Sequence, residues 1–145
     1  AIREVLKEDG KVVITEDCIS KVADLDFIPV VPNQTIEVKG LKVHTIPAYN
    51  IGKNYHTKPS NWVGYVVEIK GVRIYHAGDT DFIPEMKELK DIDVALMPIG
   101  GTYTMDEKEA ADAVNSFRPK VVIPMHYNTF TEIVKNPYEF KKTCE

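Results

Sequence analysis

At 145 residues the chain is about one domain long, and its 18 lysines and arginines against 22 aspartates and glutamates leave a formal charge of -4. No polybasic block interrupts that balance, which argues against a nucleic-acid backbone as partner. The apolar runs are a few residues long where a membrane-spanning helix needs about 20, so no membrane partner is expected.

Ala1-Ile-Arg-Glu-Val-Leu6 carries apolar residues at helical spacing with charges between, unlike the order of a signal peptide, and a cytoplasmic setting is the expectation. Lys11–Thr15 reads as a short buried strand. Cys18 and Cys144 stand near opposite ends without C-x-x-C spacing and read as unpaired thiols. Thr35–Thr45 alternates about Lys39-Gly40 and Trp62–His76 about Lys70-Gly71, each as a β-hairpin would. Pro84–Leu89 then reads as a short helix, Asp93–Pro98 as a buried strand, and Thr104–Phe117 as a helix with Ala110, Val114 and Phe117 on one face. Thr104 with Glu107 forms a capping-box pattern for that helix. Pro119 interrupts the chain, Val121–Met125 reads as another buried strand, and Pro137–Lys142 as a last helix. Two hairpins followed by strand, helix, strand predict a mixed α/β sheet with helices on its outer face.

Chemistry concentrates where strands end. Tyr75-His-Ala-Gly-Asp-Thr80, Met97-Pro-Ile-Gly-Gly101 and Pro124-Met-His-Tyr-Asn128 each close a predicted strand, and in α/β sheets ligands bind beyond the carboxyl ends of strands. Asp79 and His126 are thereby candidate metal ligands brought together by the sheet, with Gly78 allowing a sharp turn before Asp79. Asp79 could instead be a helix N-cap, and His126 a satisfied, partly buried histidine. His76, next to the Asp79 cluster, is a candidate for orienting a ligand. His44 lies in a hairpin strand with no polar partner evident and reads as a core or surface histidine. The segment from Tyr49 to Asn61 is long for a connection inside a compact domain and is a candidate functional loop; its His56 is the best candidate for a third ligand. Gly100, Gly101 and Thr102 could offer backbone N–H groups to a substrate anion.

The runs Ile74-Tyr-His-Ala-Gly-Asp-Thr-Asp81, Ala95-Leu-Met-Pro-Ile-Gly-Gly-Thr-Tyr-Thr-Met105 and Val121-Val-Ile-Pro-Met-His-Tyr-Asn128 closely resemble the metallo-β-lactamase superfamily. Within it they look like metal-dependent hydrolases related to ascorbate-6-phosphate lactonase. The resemblance implies a four-layered αββα sandwich holding two divalent metal ions, zinc or manganese. It places Asp79 on the aspartate that bridges the metals and His126 on the last histidine ligand. Related sequences often carry a further histidine in a P-A-[YW]-H stretch, where this chain reads Pro47-Ala-Tyr-Asn50, and that departure moves the role to His56.

The H-x-H-x-D-H signature of the superfamily does not occur in these residues, and the resemblance puts it before Ala1. Residues 1–145 are thus expected to form a single partial domain, about half of the sandwich. With the site complete, a metal-bound hydroxide would attack an ester, lactone, amide or phosphoester bond of a small-molecule substrate. The chain alone is expected to be inactive, and to self-associate or to pair with a complementary N-terminal half. The competing expectation is a non-catalytic half-domain serving as an assembly or metal-binding module.

Overall fold

Two tight turns set the register of the sheet. Lys39 and Lys70 adopt φ of 51° and 50°, and Gly40 and Gly71 follow at 78° and 81°. Two successive left-handed residues define a type I′ turn, whose twist matches that of the flanking strands. Around them β3 (Thr35–Val38) pairs with β4 (Leu41–Pro47), and β5 (Val63–Ile69) with β6 (Val72–His76). The computed structural model describes residues 2–144 and extends this unit with β7 (Val94–Pro98) and β8 (Val121–Met125) into a six-stranded sheet, ordered as in the sequence. β3 through β6 pair antiparallel, whereas β6–β7 and β7–β8 pair parallel. Before the sheet, α1 (Ile2–Val5) leads into β1 (Val12–Ile14), which pairs in parallel with β2 (Phe27–Pro29). Ala1 of the predicted N-terminal helix and Glu145 lie outside the described residues.

Strand direction decides where the chemistry gathers. β4 and β6 both run antiparallel to β5, so β4 points the same way as β6, β7 and β8. The segments leaving these four strands therefore emerge at one edge, and they carry His56, Asp79, Gly100 and His126 in turn.

One face of the sheet is closed by helices, as the order of elements predicts. α2 (Glu107–Phe117) and α3 (Pro137–Thr143) pack with a 3-10 turn at Pro84–Glu88 over Tyr75, Ala95 and Met97. α2 buries Ala110, Ala111, Ala113, Val114 and Phe117, and the Phe117 ring meets Tyr75 edge-on with centroids 6.0 Å apart. On the opposite face the alternating residues of β8, Val121 and Ile123, stand exposed. The N-terminal segment touches this face near β5, where the Tyr65 hydroxyl donates to the Val13 carbonyl at 3.1 Å.

The start of α2 corrects the predicted cap. Asp106, not Thr104, is the N-cap: Asp106 Oδ1 accepts the Glu109 N–H at 2.8 Å, and Glu109 Oε2 accepts the Asp106 N–H at 3.1 Å. Both residue pairs fit the capping-box spacing, but Thr104 is fully buried in the preceding loop, where its carbonyl receives Lys53. Cys18 and Cys144 are free thiols, and among the described residues no helix is long and apolar enough to cross a membrane.

Candidate metal centre

Asp79 and His126 meet across the sheet edge. His126 Nε2 lies 3.5 Å from Asp79 Oδ1, with the two side chains 27% and 45% exposed, so both reach a surface that solvent or a ligand can enter. Local backbone produces this meeting. Gly78 takes φ of 72°, which turns the chain directly before Asp79, and His126 itself sits at φ of 57°, a region costly for a residue with a Cβ. The following 3-10 turn is capped at Ile83, so Asp79 is not a helix cap. His126 is not a satisfied core histidine either, for its Nδ1 is buried without a hydrogen-bond partner among the described residues. A Cβ on Gly100 would fall 3.1 Å from that Nδ1 and 2.6 Å from the His126 carbonyl oxygen, so the glycine is what allows β7 to run against the histidine.

The other predicted residues divide. His76 is exposed, and its Nδ1 accepts the Gly78 N–H at 3.2 Å, so it braces the turn that presents Asp79. His56 has φ of 52° and accepts the Asn50 N–H on its carbonyl at 2.6 Å. Its ring packs on Trp62 with centroids 4.8 Å apart, and its Nδ1 is buried without a partner among the described residues. The Gly101 N–H is spent on the Met105 carbonyl at 2.9 Å, and the Thr102 hydroxyl donates to the Glu132 carbonyl at 2.7 Å. This loop presents carbonyls to its neighbours: those of Thr102, Tyr103 and Thr104 accept from Tyr55 Oη at 2.7 Å, Asn50 Nδ2 at 2.9 Å and Lys53 Nζ at 3.2 Å. His44 does have polar partners, contrary to the sequence reading. Its Nδ1 lies 2.7 Å from Thr35 Oγ1, and burial, with the charges of Lys42 and Arg73, holds its imidazole below the usual value.

Sequence reasoning weighed Asn50 only as a replaced ligand and assigned no role to Lys53, Trp62 or Asp81. Asn50 is buried, and its Oδ1 has no partner among the described residues. Asp81 is buried and ion-paired to Lys53 at 2.6 Å. Trp62 shares with Asp79 a cleft of about 240 Å³ that also takes in Ile14, Cys18, Ala48 and Tyr65. The repeated acid in Gly78-Asp-Thr-Asp81 was the available signal, but its lysine lies 28 residues away in sequence. At the far end of the same loop, Tyr49 Oη and Lys58 Nζ both reach Glu85 at 2.9 Å. The hydrogen bond to Glu85 raises the Lys58 ammonium above its usual value. A wider cleft of about 370 Å³, lined by His44, Arg73, Glu85 and Glu88 among others, contains none of the predicted ligands.

The donor pair suits a divalent cation. Two ligands about 2.0–2.1 Å from one zinc at a tetrahedral angle stand roughly 3.3–3.4 Å apart, close to the separation of Asp79 and His126. Two donors are not a site, however. Among the described residues no three His, Cys, Asp or Glu side chains gather closely enough to hold a metal, so His56 does not join the pair in this arrangement.

The sequence profile described as a beta-lactamase superfamily domain matches residues 5–126. A metal-dependent hydrolase of Thermococcus onnurineus is 47% identical over 110 residues, which cover 73% of this chain and 49% of that protein. One of Staphylothermus marinus is 59% identical over 85 residues, 57% of this chain and 37% of that protein. Among solved structures, Igni18, described as a novel metallo hydrolase from Ignicoccus hospitalis, aligns with a TM-score of 0.78 at 32% identity, covering 97% of this chain and 62% of that one. The metallo-beta-lactamase fold protein YhfI of Bacillus subtilis aligns with a TM-score of 0.70 at 9% identity, covering 92% of this chain and 56% of that one, a likeness of fold alone. The chain spans about half the length of the Thermococcus relative.

Proposed function

This chain belongs to the metallo-β-lactamase superfamily, and we propose that it supplies Asp79 and His126 to the metal centre of a metal-dependent hydrolase. The observation that carries the reading is the 3.5 Å approach of Asp79 Oδ1 to His126 Nε2, made by residues 47 positions apart. Relatives named metal-dependent hydrolases support it. Asp79 and His126 would hold a centre of two divalent ions, zinc or manganese. His56, whose Nδ1 is buried without a partner among the described residues, would be a further ligand. A divalent cation at this position supplies Lewis acidity and a water activated near neutral pH.

This chain's own residues hold and aim the ligands. His76 and Gly78 fix the turn that presents Asp79, and Gly100 leaves room for His126. Trp62, in the cleft beside Asp79, offers an apolar wall to a small-molecule substrate. Esters, lactones, amides and phosphoesters all suit such a centre, since each presents an oxygen for the cation to polarise.

Metal analysis of the protein expressed from its complete reading frame, beside Asp79→Ala and His126→Ala, tests the reading. Loss of bound zinc or manganese in both variants, with the folded far-ultraviolet signature kept, is the expected result. Full metal occupancy in both would sink it. The two-donor count favours a second reading for the chain taken by itself: an assembly or metal-binding module that pairs with a complementary N-terminal half or a second copy through its exposed β8 face. Hydrolysis by residues 1–145 alone would overturn that second reading.

A further inference from the structure

One ammonium ties together three of the loops that leave the sheet at the metal edge. Lys53 Nζ lies 2.6 Å from Asp81 Oδ1 and donates to the Thr104 carbonyl at 3.2 Å, while Asp81 Oδ2 accepts the Ile51 N–H at 2.9 Å. The Asp81 side chain is 8% exposed and that of Lys53 24%, so the pair sits inside the loops and not on their surface. Lys53 belongs to the loop that carries His56, Asp81 follows Asp79 by two residues, and Thr104 belongs to the loop that carries Gly100.

The contacts around the pair make the connection stiff. Between Asp79 and Asp81, the Thr80 hydroxyl accepts the Tyr49 N–H at 3.1 Å and lies 3.0 Å from the Tyr49 carbonyl, and the Asp81 N–H donates to that carbonyl at 3.0 Å. Asp79 is thus held from both sides, by Gly78 on His76 before it and by Thr80 and Asp81 on residues 49–53 after it. On the other flank of the clamp, Asn50, Lys53 and Tyr55 bind the three successive carbonyls of residues 102–104. Lys53 is the member of that trio that also reaches the Asp79 loop. An isolated surface ion pair contributes little, but one that is shielded and shares its hydrogens with backbone groups fixes geometry.

We infer that Lys53 and Asp81 are positioning residues for the metal centre: their ion pair sets where Asp79 and the His56 loop stand relative to each other. This rests on the hydrolase reading above, since it presumes that Asp79 holds metal. Partners that orient ligands typically change metal affinity about 10- to 100-fold when removed. A clamp with a purely structural role would lower thermal stability and leave the affinity of the folded protein alone.

The test titrates zinc into metal-free wild type, Lys53→Met, Lys53→Arg and Asp81→Asn, each expressed from the complete reading frame. It reads the zinc dissociation constant by chelator competition and the melting temperature of the metal-free protein. Trp62, the chain's single tryptophan, lies against His56 and adds a fluorescence signal. The expected result is a 10- to 100-fold weaker constant in Lys53→Met and Asp81→Asn, with Lys53→Arg recovering most of the loss. Wild-type affinity in folded Lys53→Met and Asp81→Asn overturns the positioning role while the hydrolase reading stands. Failure of the wild type itself to bind zinc or manganese overturns both. If Asp81→Asn does not fold, the comparison of Lys53→Met with Lys53→Arg decides: weak against recovered supports the role, and equal constants overturn it.

Discussion

The helix-covered face of the sheet and the loops at its metal edge are built by opposite rules. Beneath α2 and α3 the contacts are mainly apolar and close: Tyr75, Ala95, Met97, Ala110 and Ala113 are fully buried, with the Tyr75 hydroxyl the cost of that packing since it finds no partner among the described residues, and the helices there cap and pack as amphipathic helices do. At the edge, His56 and His126 hold left-handed backbone conformations, and Asn50 Oδ1, His56 Nδ1 and His126 Nδ1 are buried without partners among the described residues. Strain and unpaired polar groups each cost free energy, and they persist where the surrounding fold over-determines them and a ligand rewards them. The covered face stores the stability that the edge spends.

The largest expected effect lies on the covered face. Phe117→Ala removes the ring that meets Tyr75 edge-on and should cost about 3–5 kcal/mol, because close-packed surroundings collapse only partly into the cavity. Urea denaturation measures it. Zinc affinity of the fraction that remains folded should match wild type, and a parallel loss of affinity would show that the two regions are not separable in the way described.

The second effect reverses the pattern. Gly100→Ala places a Cβ 2.6 Å from the His126 carbonyl oxygen and 3.3 Å from Ile133 Cγ2, so backbone and not merely a flexible side chain must give way. Overpacking of this kind costs about 1–3 kcal/mol. Zinc affinity should fall by more than that stability loss explains, since the displaced residue is the proposed ligand. An alanine variant that binds zinc as the wild type does would mean that Gly100 serves packing alone.

The same contrast explains what could be read from the chain beforehand. Both hairpins were legible because Lys-Gly turns and period-2 alternation are local signals, and three of the five buried positions of α2, Ala110, Val114 and Phe117, were legible by helical spacing. That clusters at separate strand ends would meet followed from parallel pairing, and the Asp79–His126 approach is its outcome. The partners of the Tyr49–Asn61 loop were not legible. Asn50, Lys53 and Tyr55 find carbonyls of residues 102–104, and a backbone carbonyl leaves no mark in the amino-acid alphabet. His44 was misread for a related reason: Thr35 stands across the hairpin at the paired position, which only the register reveals.

The smallest effect sits on the boundary between the two regions. Asp106 ends the loop of carbonyls and begins α2, and its side chain satisfies the Glu109 N–H while Glu109 returns the bond. Asp106→Ala leaves helix-end donors to water and should cost about 1 kcal/mol. Because Lys53, Asn50 and Tyr55 grip the preceding residues through main-chain carbonyls that the substitution leaves in place, zinc affinity should stay within twofold of wild type. A fall comparable to that expected for Lys53→Met would mean that the metal edge depends on where α2 starts. The helix, and not the ion pair, would then be what positions the loop.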